Sequence, residues 1–338
     1  MNWKTSGIVI LGLSLLWTGI SVSRQAPLPQ AAHREAFRRP AEIPHPDDNP
    51  YSPAKAELGR VLFFDPILSG SKTRSCASCH SPGLSWGDGR PRAIGEAHTA
   101  LPLRSPTLIA IAWMPRLGWD GKFRDVEAVT FAPMNSKLNM NLPEADALAR
   151  LNAIPGYVKA FDVVFGPGEI SKRKVELALA NYQRTIVPAV APFDRWIEGD
   201  QLAINAAAKR GFEIFAGKAH CTGCHNGFAF SDGSFHDIGT ANGADVGRGR
   251  LFPNSVPLRY AFKTPTLRDV TRRAPYMHDG SVATLEEVID LYDRGGIERP
   301  SRSKLIFPLG LSKDEKSDLI AFLGTLTGEP VPVSTFPR

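Results

Sequence analysis

The chain has 338 residues, of which 43% are hydrophobic, so it is long enough for two globular domains of ordinary size. Its formal net charge is +6 at pH 7, but acidic and basic residues are interspersed without a long basic block. Nucleic-acid binding is therefore not expected, although a basic face could steer an acidic protein partner.

The N-terminus has the pattern of a secretory signal peptide. Lys4 precedes an uncharged apolar run at 7–22, and small residues at 21–23 offer a cleavage site. The run is shorter than the roughly 18 to 20 residues of a spanning helix, which makes an uncleaved anchor the weaker interpretation. We predict residues 1–23 to be a signal peptide that directs a soluble protein to the periplasm.

An arm and a short helix follow. Residues 24–50 hold six prolines and no apolar periodicity, which predicts an extended arm. The apolar spacing from Pro53 predicts a helix that ends at Asp65-Pro66. Residues 65–142 are rich in Gly, Pro and Ser and lack helical periods, which is typical of loops packed on a cofactor.

Helical patterns return in the middle and last parts of the chain. Apolar spacing predicts helices after Pro143 and over 155–165, 174–187 and 206–215, with a break at Gly199-Asp200. Two further helices begin at capping boxes, formed by Thr284 with Glu287 and by Ser312 with Glu315. Strand patterns are scarce throughout.

Two copies of the pattern Cys-X-X-Cys-His use all four cysteines. They are Cys76-Ala77-Ser78-Cys79-His80 and Cys221-Thr222-Gly223-Cys224-His225. In this pattern the two thiols add to the vinyl groups of a haem and the histidine binds the iron, so we predict two covalent c-type haems. A structural zinc site or buried reduced cysteines are the alternatives, but zinc would gather both cysteine pairs and would not need the histidines.

Each half of the chain thus repeats a helix, a haem motif and loops. The sequence predicts a mainly α protein with two cytochrome c-like domains and a helical connecting block. We place the first domain, with the connecting helices, at 51–198 and the second at 199–338.

An iron with one histidine ligand has a free sixth position, and its occupant decides between electron transfer and peroxide chemistry. Spacing alone does not choose among the candidate side chains in the two halves, which are Glu96, His98, Trp119, Asn139, Met140, His236, Met277, His278 and Tyr292.

The region from about Tyr51 to Thr327 resembles the bacterial di-haem cytochrome c peroxidase and MauG family. The resemblance is found in Leu58-Gly59-Arg60-Val61-Leu62-Phe63-Phe64-Asp65, Ser75 to His80, Ser105-Pro106-Thr107, Gly118-Trp119-Asp120-Gly121, Phe262-Lys263-Thr264-Pro265-Thr266-Leu267-Arg268 and Ala274-Pro275-Tyr276-Met277-His278-Asp279-Gly280. It implies a peroxidatic first haem, an electron-transferring second haem and a tryptophan between them.

The resemblance implies a role for four residues. His80 and His225 become the proximal ligands, Trp119 the tryptophan between the haems, and Tyr292 the second ligand of the C-terminal haem. Peroxidases of the family have methionine at that last place and MauG-type enzymes have tyrosine, so Tyr292 favours the MauG-like branch. Met277 is a rival ligand, and a packed core tyrosine is the alternative for Tyr292.

The peroxidatic side departs from the family pattern. Asn139 stands where the family has a glutamate that moves a proton during O–O cleavage, and an amide cannot do this at neutral pH. We expect Glu96 to replace it as base, with His98 two residues further on as the other candidate.

Calcium is a second departure. Family members bind one Ca²⁺ between the domains, partly through residues whose places here are Arg104 and Arg273. Guanidinium groups repel a hard cation, so we expect the ion to be absent and the arginines to pair with haem propionates.

The resulting expectation is a periplasmic di-haem peroxidase that reduces H₂O₂ with electrons from a small redox protein, a cytochrome c or a cupredoxin. A MauG-like oxidase that modifies a residue of a partner protein is one alternative, and a non-catalytic electron-transfer or redox-sensing cytochrome is another. A homodimer is compatible with the sequence.

Overall fold

The computed structural model describes Met1 and residues 34–329, and its regular structure there is mainly α-helical. The α-helices are α1 (Pro53–Phe64), α2 (Val126–Val129), α3 (Phe131–Asn135), α4 (Glu144–Asn152), α5 (Pro155–Phe165), α6 (Lys172–Arg184), α7 (Pro192–Ile197), α8 (Ala206–Ala216), α9 (Leu285–Arg294) and α10 (Lys313–Gly324). Two short antiparallel strands, β1 (Phe235–His236) and β2 (Phe262–Lys263), pair with each other. The predicted mainly α class is confirmed.

The helix boundaries follow the local signals of the sequence. Ser52 caps α1 by accepting a hydrogen bond from the Lys55 amide, and the helix ends before Asp65-Pro66 as predicted. Both predicted capping boxes are present at the starts of α9 and α10. Helix α6 begins at Lys172 because Ser171 caps it, two residues earlier than the apolar spacing indicated. The short helices α2, α3 and α7 were not predicted, since they span too few residues for a periodic pattern.

Two hydrophobic clusters form the core, and each is built around one closely packed helix pair. In the first cluster α1 packs on α6, and a Cβ atom at Gly59 would lie only 1.9 Å from the Ala178 carbonyl oxygen. In the second cluster α8 packs on α10, and a Cβ at Gly211 would lie 1.9 Å from the Asp318 carbonyl oxygen. The same device, a glycine that lets two backbones touch, therefore occurs in both halves.

The segment before α1 is attached to both clusters. Phe37 is 2% exposed and packs in the second cluster with Phe193, Phe212 and Phe230. Asn49 is fully buried beside the first. The expected extended arm at 24–50 is thus packed against the fold from residue 34 onwards. The expected signal peptide at 1–23 lies outside the described residues except for Met1. Within the described residues, no helix combines the length and apolar character needed to cross a membrane.

A buried ion pair fixes α2 to α6. Arg184 donates two hydrogen bonds to the Glu127 carboxylate (2.6 and 2.7 Å), and Asn49 donates a third (2.8 Å). Burial alone would raise the pKa of Glu127, but these donors lower it below its usual range. Both charged side chains are about 5% exposed, so neither could be solvated if its partner were removed.

Replacing Arg184 by methionine should destabilise the fold by about 3–5 kcal/mol, because the Glu127 carboxylate would remain buried without its charge partner. Lys172→Met is the matched control, since the exposed Lys172–Glu144 pair should contribute less than about 1 kcal/mol. Denaturant unfolding of the two variants measures the difference, and equal losses would contradict the assignment.

Candidate active site

Each Cys-X-X-Cys-His motif forms a short 3₁₀ turn with its histidine directly after it. The Nδ1–H of His80 donates to the Trp86 carbonyl oxygen (3.2 Å), and that of His225 to the Phe230 carbonyl oxygen (2.9 Å). Each bond fixes the ring orientation and its tautomer, which leaves Nε2 unprotonated and available to a metal. Both imidazoles thus have the tautomer that a metal ligand needs, with Nε2 unprotonated.

Burial keeps the groups of the two motifs uncharged. It lowers the pKa of His225 to about 4 and lowers that of His80, so both rings are neutral at pH 7. It also raises the pKa of Cys76 and of Cys221 to about 12. A thiol that binds zinc loses its proton to the metal, so these pKa values alone do not separate a zinc site from a haem site.

The positions of the cysteines argue against a zinc site formed by both cysteine pairs. Within the residues that the structure describes, only one group of His, Cys, Asp and Glu side chains is close enough to share a metal ion, and it consists of Cys224, Asp232 and His236. A Cys₄ site would need both cysteine pairs in one place, but this group contains a cysteine from the second motif alone. The motifs therefore occupy separate sites, as two haems require.

A continuous cavity of ≈ 690 Å³ connects the two motifs. Its walls include both cysteine pairs, both histidines and Trp119. Most of the lining is apolar, which suits a porphyrin face, and the volume lies in the range of cofactor sites. Residues of both motifs thus line the same cavity.

Trp119 is held at the junction by both halves of the chain. Its indole N–H donates to the Arg104 carbonyl oxygen (3.0 Å), and its own carbonyl oxygen accepts from the Lys263 amide (2.8 Å). The His278 ring lies edge-on at 6.4 Å between centroids. Gly118 and Gly121 bracket the turn with φ of +81° and +69°, a conformation that glycine adopts without strain.

The cavity-lining cations around Trp119 include three that are at least partly buried and lack a carboxylate partner. Arg104, Arg273 and Lys263 line the cavity, and none forms an ion pair within the described part of the chain. Burial lowers the pKa of Arg273 to about 10 and that of Lys263 to about 8, with a neighbouring arginine adding to each effect. Unpaired cations at this depth fit a cofactor that brings its own carboxylates, as the propionates of haem do.

The arginines also bind backbone oxygens. Arg104 donates to the Arg273 carbonyl oxygen (2.9 Å), and Arg273 donates to that of Thr266 (2.5 Å) and, more weakly, to that of Asp269 (3.4 Å). The guanidinium groups therefore occupy carbonyl oxygens that a hard cation would otherwise prefer.

Tyr292 and its rival Met277 both line the cavity, but in different surroundings. Tyr292 lies on α9, and burial together with the nearby Cys224 and Cys221 sulfurs raises the pKa of its phenol. Met277 lies in a tight turn at φ +70°, equivalent in the second half to the place of Gly118 in the first. The phenol is thus the candidate ligand that lies beside the second motif.

The structure places Glu96, the expected base, apart from Asn139, which stands where the family has its glutamate. Asn139 lines the cavity, whereas Glu96 and His98 do not. The Glu96 carboxylate instead contacts the Ser71 hydroxyl (3.4 Å) on the outer side, and the Glu96 amide donates to the carbonyl oxygens of Leu138 and Asn139. This placement does not support Glu96 as the base, and it gives the Glu96 backbone a part in holding the Asn139 segment.

Two further groups at the site had no role assigned from the sequence, although His236 is among the candidate side chains for the sixth iron position. Lys263 was recognised only as part of a family segment, because a single lysine beside a phenylalanine has no pattern that indicates burial. The spacing of the sequence assigns no role to His236 either. Its ring contacts the Asp232 carboxylate (2.8 Å), which raises the pKa of His236 to about 10.

The sequence matches known proteins over nearly its whole length. The family model for di-haem cytochrome c peroxidase matches residues 53–202. The methylamine utilization protein MauG of Methylorubrum extorquens is 48% identical over 310 residues, which cover 91% of this chain and 88% of MauG. The chain belongs to the di-haem cytochrome c peroxidase family.

Two other members extend the comparison. Cytochrome-c peroxidase IdrP1 of Pseudomonas sp. (strain SCT) is 35% identical over 354 residues, covering 95% of this chain and 93% of IdrP1. The crystal structure of a MauG-like protein associated with microbial copper homeostasis has a TM-score of 0.79 at 31% identity, and the match covers 86% of this chain and 95% of that one. As a family member, the protein is a peroxide-using oxidoreductase with two haems and two cytochrome c-like units.

The different placements of Glu96 and Asn139 predict different effects of substitution. Glu96→Gln should leave the initial rate of H₂O₂ consumption within about twofold, since the carboxylate lies outside the cavity. Asn139→Glu should raise the rate by about tenfold or more, because general acid–base catalysis typically contributes about 10²–10⁴. Initial rates with a small-molecule donor measure both. A large loss of the initial rate in Glu96→Gln would show that Glu96 acts as the base.

Proposed function

We propose that this protein is a periplasmic di-haem c-type peroxidase that reduces H₂O₂ at the haem bound by Cys76, Cys79 and His80. Cys221, Cys224 and His225 would hold the second haem, which would supply the electrons, and Trp119 would carry them to the first. The observation that supports this proposal best is the single cavity that joins the two motifs, with Trp119 fixed between them. The division into an N-terminal unit at 51–198 and a C-terminal unit at 199–338 is part of the proposal.

The bound haems supply the redox chemistry, and the reaction consumes two electrons and two protons for each H₂O₂ reduced to two water molecules. Two molecules of a one-electron donor, a small cytochrome c or a cupredoxin, are oxidised in each cycle. The protein positions the participants. His80 Nε2 faces the cavity, and the Asn139 amide can hydrogen-bond a peroxide oxygen but cannot transfer a proton to it at neutral pH.

Trp119 suits the place between the sites for a physical reason. An indole is more readily oxidised than an aliphatic or phenylalanine side chain, and this one has a fixed position and a hydrogen-bonded N–H. Arg104, Arg273 and Lys263 balance the negative charge of the propionates, so that the pocket need not bury uncompensated carboxylates.

Removing the thiols of each motif in turn tests these assignments. Cys76→Ser/Cys79→Ser and Cys221→Ser/Cys224→Ser should each leave one covalent haem, counted by pyridine haemochrome and by haem stain after denaturing electrophoresis. The unmodified protein should oxidise a reduced cytochrome c or cupredoxin only when H₂O₂ is present. The first double variant should lose this activity entirely, and no turnover of the intact protein with any donor would contradict the proposed function.

A MauG-like oxidation of a residue on a partner protein is the second candidate, and Tyr292 favours it. A phenolate ligand stabilises ferric and higher oxidation states, which suits storage of oxidising equivalents better than delivery of electrons from ferrous iron. The 48% identity with MauG of Methylorubrum extorquens supports the same branch.

Electron paramagnetic resonance tests the Tyr292 assignment. The ferric protein should show one high-spin haem and one low-spin haem with histidine–tyrosine ligation. Tyr292→Met should convert the low-spin signal to a histidine–methionine signature and raise that midpoint potential by on the order of 0.1 V. Met277→Leu is the matched control and should leave the signal unchanged. A low-spin signal that Met277→Leu removes would identify Met277 as the ligand.

We also propose that the protein works without calcium, because Arg104 and Arg273 supply positive charge at the place of the ion and donate to the nearby carbonyl oxygens. Prolonged treatment with EGTA should leave peroxidase turnover and both spectra unchanged. Loss of activity that added Ca²⁺ restores would show that a calcium site remains.

A further inference from the structure

A stretch of the second half has basic and apolar residues but no acidic ones. Residues 246–268 hold five Lys and Arg side chains and no Asp or Glu, although the chain as a whole has 34 acidic residues among 338. The exposed part is the loop at 246–259, which we call the arginine loop. Its apolar side chains are unusually accessible, with Leu251 42%, Phe252 45% and Val256 56% exposed.

The arginines of this surface have no carboxylate within ion-pair distance in the described part of the chain. Arg248 and Arg259 of the arginine loop and the exposed Arg116 form no ion pair there. Arg250 forms none either, but it also lines the cavity. Burial lowers the pKa of Arg248, and the positive charge of Arg116 lowers it further, whereas Asp120 raises it. An apolar surface surrounded by unpaired cations is the complement of an apolar surface surrounded by carboxylates.

The arginine loop is in direct contact with the turn that holds Trp119. Arg248 donates to the carbonyl oxygens of Asp120 (2.7 Å) and Gly121 (3.3 Å). Its guanidinium also lies over the rings of Phe235 at 3.9 Å and of the exposed Phe252 at 4.9 Å. A molecule seated on Phe252 would therefore be separated from the Trp119 turn by one arginine side chain.

The packing of this contact is tight. A Cβ atom at Gly121 would lie 2.1 Å from Cζ of Phe235 and 2.6 Å from Nη1 of Arg248. The glycine therefore lets the aromatic ring and the guanidinium reach the turn backbone. The arginine loop is consequently fixed against the centre of the site rather than projecting away from it.

We propose that the arginine loop, with Arg116, is the docking surface for an acidic redox protein that exchanges electrons with the site near Trp119. The occupant has an apolar face surrounded by carboxylates, as acidic cupredoxins and cytochromes do. A second copy of this chain does not fit, because it would present the same positive surface. A membrane surface exchanges no electrons, whereas this loop contacts the turn that contains Trp119. The inference rests on the proposed function, since it identifies the partner of that reaction.

Reduced plant plastocyanin, an acidic cupredoxin, is the probe. The double variant Arg116→Glu/Arg259→Glu reverses two charges of the surface without touching the cavity. The matched control is Lys159→Glu/Lys313→Glu, which makes the same change of charge at exposed lysines on α5 and α10. The measured quantity is the second-order rate constant of H₂O₂-dependent plastocyanin oxidation at low and at high ionic strength.

At about 10 mM ionic strength the surface variant should react at least about tenfold more slowly than the unmodified protein, and at about 200 mM the difference should shrink to about twofold. The control variant should stay within about twofold at both. Oxidation of the small donor tetramethylphenylenediamine should be unchanged in all three proteins. Equal rates for the surface and control variants with plastocyanin would overturn the proposal.

The failure of the docking proposal is distinguishable from failure of the proposed function. If the unmodified protein oxidises neither donor, the peroxidase assignment fails, and calorimetric titration with oxidised plastocyanin still tests docking without turnover. Binding that the surface variant lacks and the control retains supports the proposal. The unmodified protein and the control variant could instead co-sediment with phosphatidylglycerol vesicles while the surface variant does not. If plastocyanin oxidation is then equal in all three proteins, the surface binds a membrane, and the docking proposal is overturned.

Discussion

The position of Trp119 depends on hydrogen bonds from both halves of the chain. Its indole N–H is bound to the Arg104 carbonyl oxygen of the first half, and its carbonyl oxygen is bound to the Lys263 amide of the second. Arg104 in turn donates from its amide to the His278 carbonyl oxygen and from its guanidinium to that of Arg273. These bonds, together with those from Arg248 to the carbonyl oxygens of Asp120 and Gly121, join the two halves around Trp119.

The two halves use the same scaffold to build unequal sites. Each has a glycine-mediated helix pair, at Gly59 and at Gly211, and each has a tight antiparallel turn, closed by the Leu117–Phe123 and Tyr276–Val282 bridges. Trp119 stands at the corresponding turn position in the first half and His278 in the second. The inequality comes from the other side of each pocket, where Asn139 faces the first motif's end of the cavity and Tyr292 lies beside the second motif.

Much of the fold and of the cofactor sites could be predicted from local signals. Apolar spacing and the stop at Asp65-Pro66 located α1, capping boxes located α9 and α10, and the Cys-X-X-Cys-His spacing located both haem motifs, because these are patterns of a few consecutive residues. Side-chain direction is not encoded in this way. The sequence placed Glu96 near the first haem, yet the structure turns its carboxylate outwards to Ser71. Lys263 and Arg248 contact Trp119 and Asp120, which lie more than 100 positions away in the sequence. Such contacts cannot be predicted from the spacing of residues along the chain.

Replacing Trp119 by phenylalanine tests most directly whether this residue connects the two sites. The protein is prepared with both haems reduced, mixed with one equivalent of H₂O₂ and freeze-quenched, and the oxidation of the second haem is followed by electron paramagnetic resonance. Trp113→Phe is the control, because Trp113 packs on Phe228 and lies outside the cavity lining. Trp119→Phe should retain both haems but slow oxidation of the second haem by on the order of tenfold or more. Trp113→Phe should retain both haems and leave the rate of that oxidation unchanged. Equal rates in the two variants would contradict this role of Trp119.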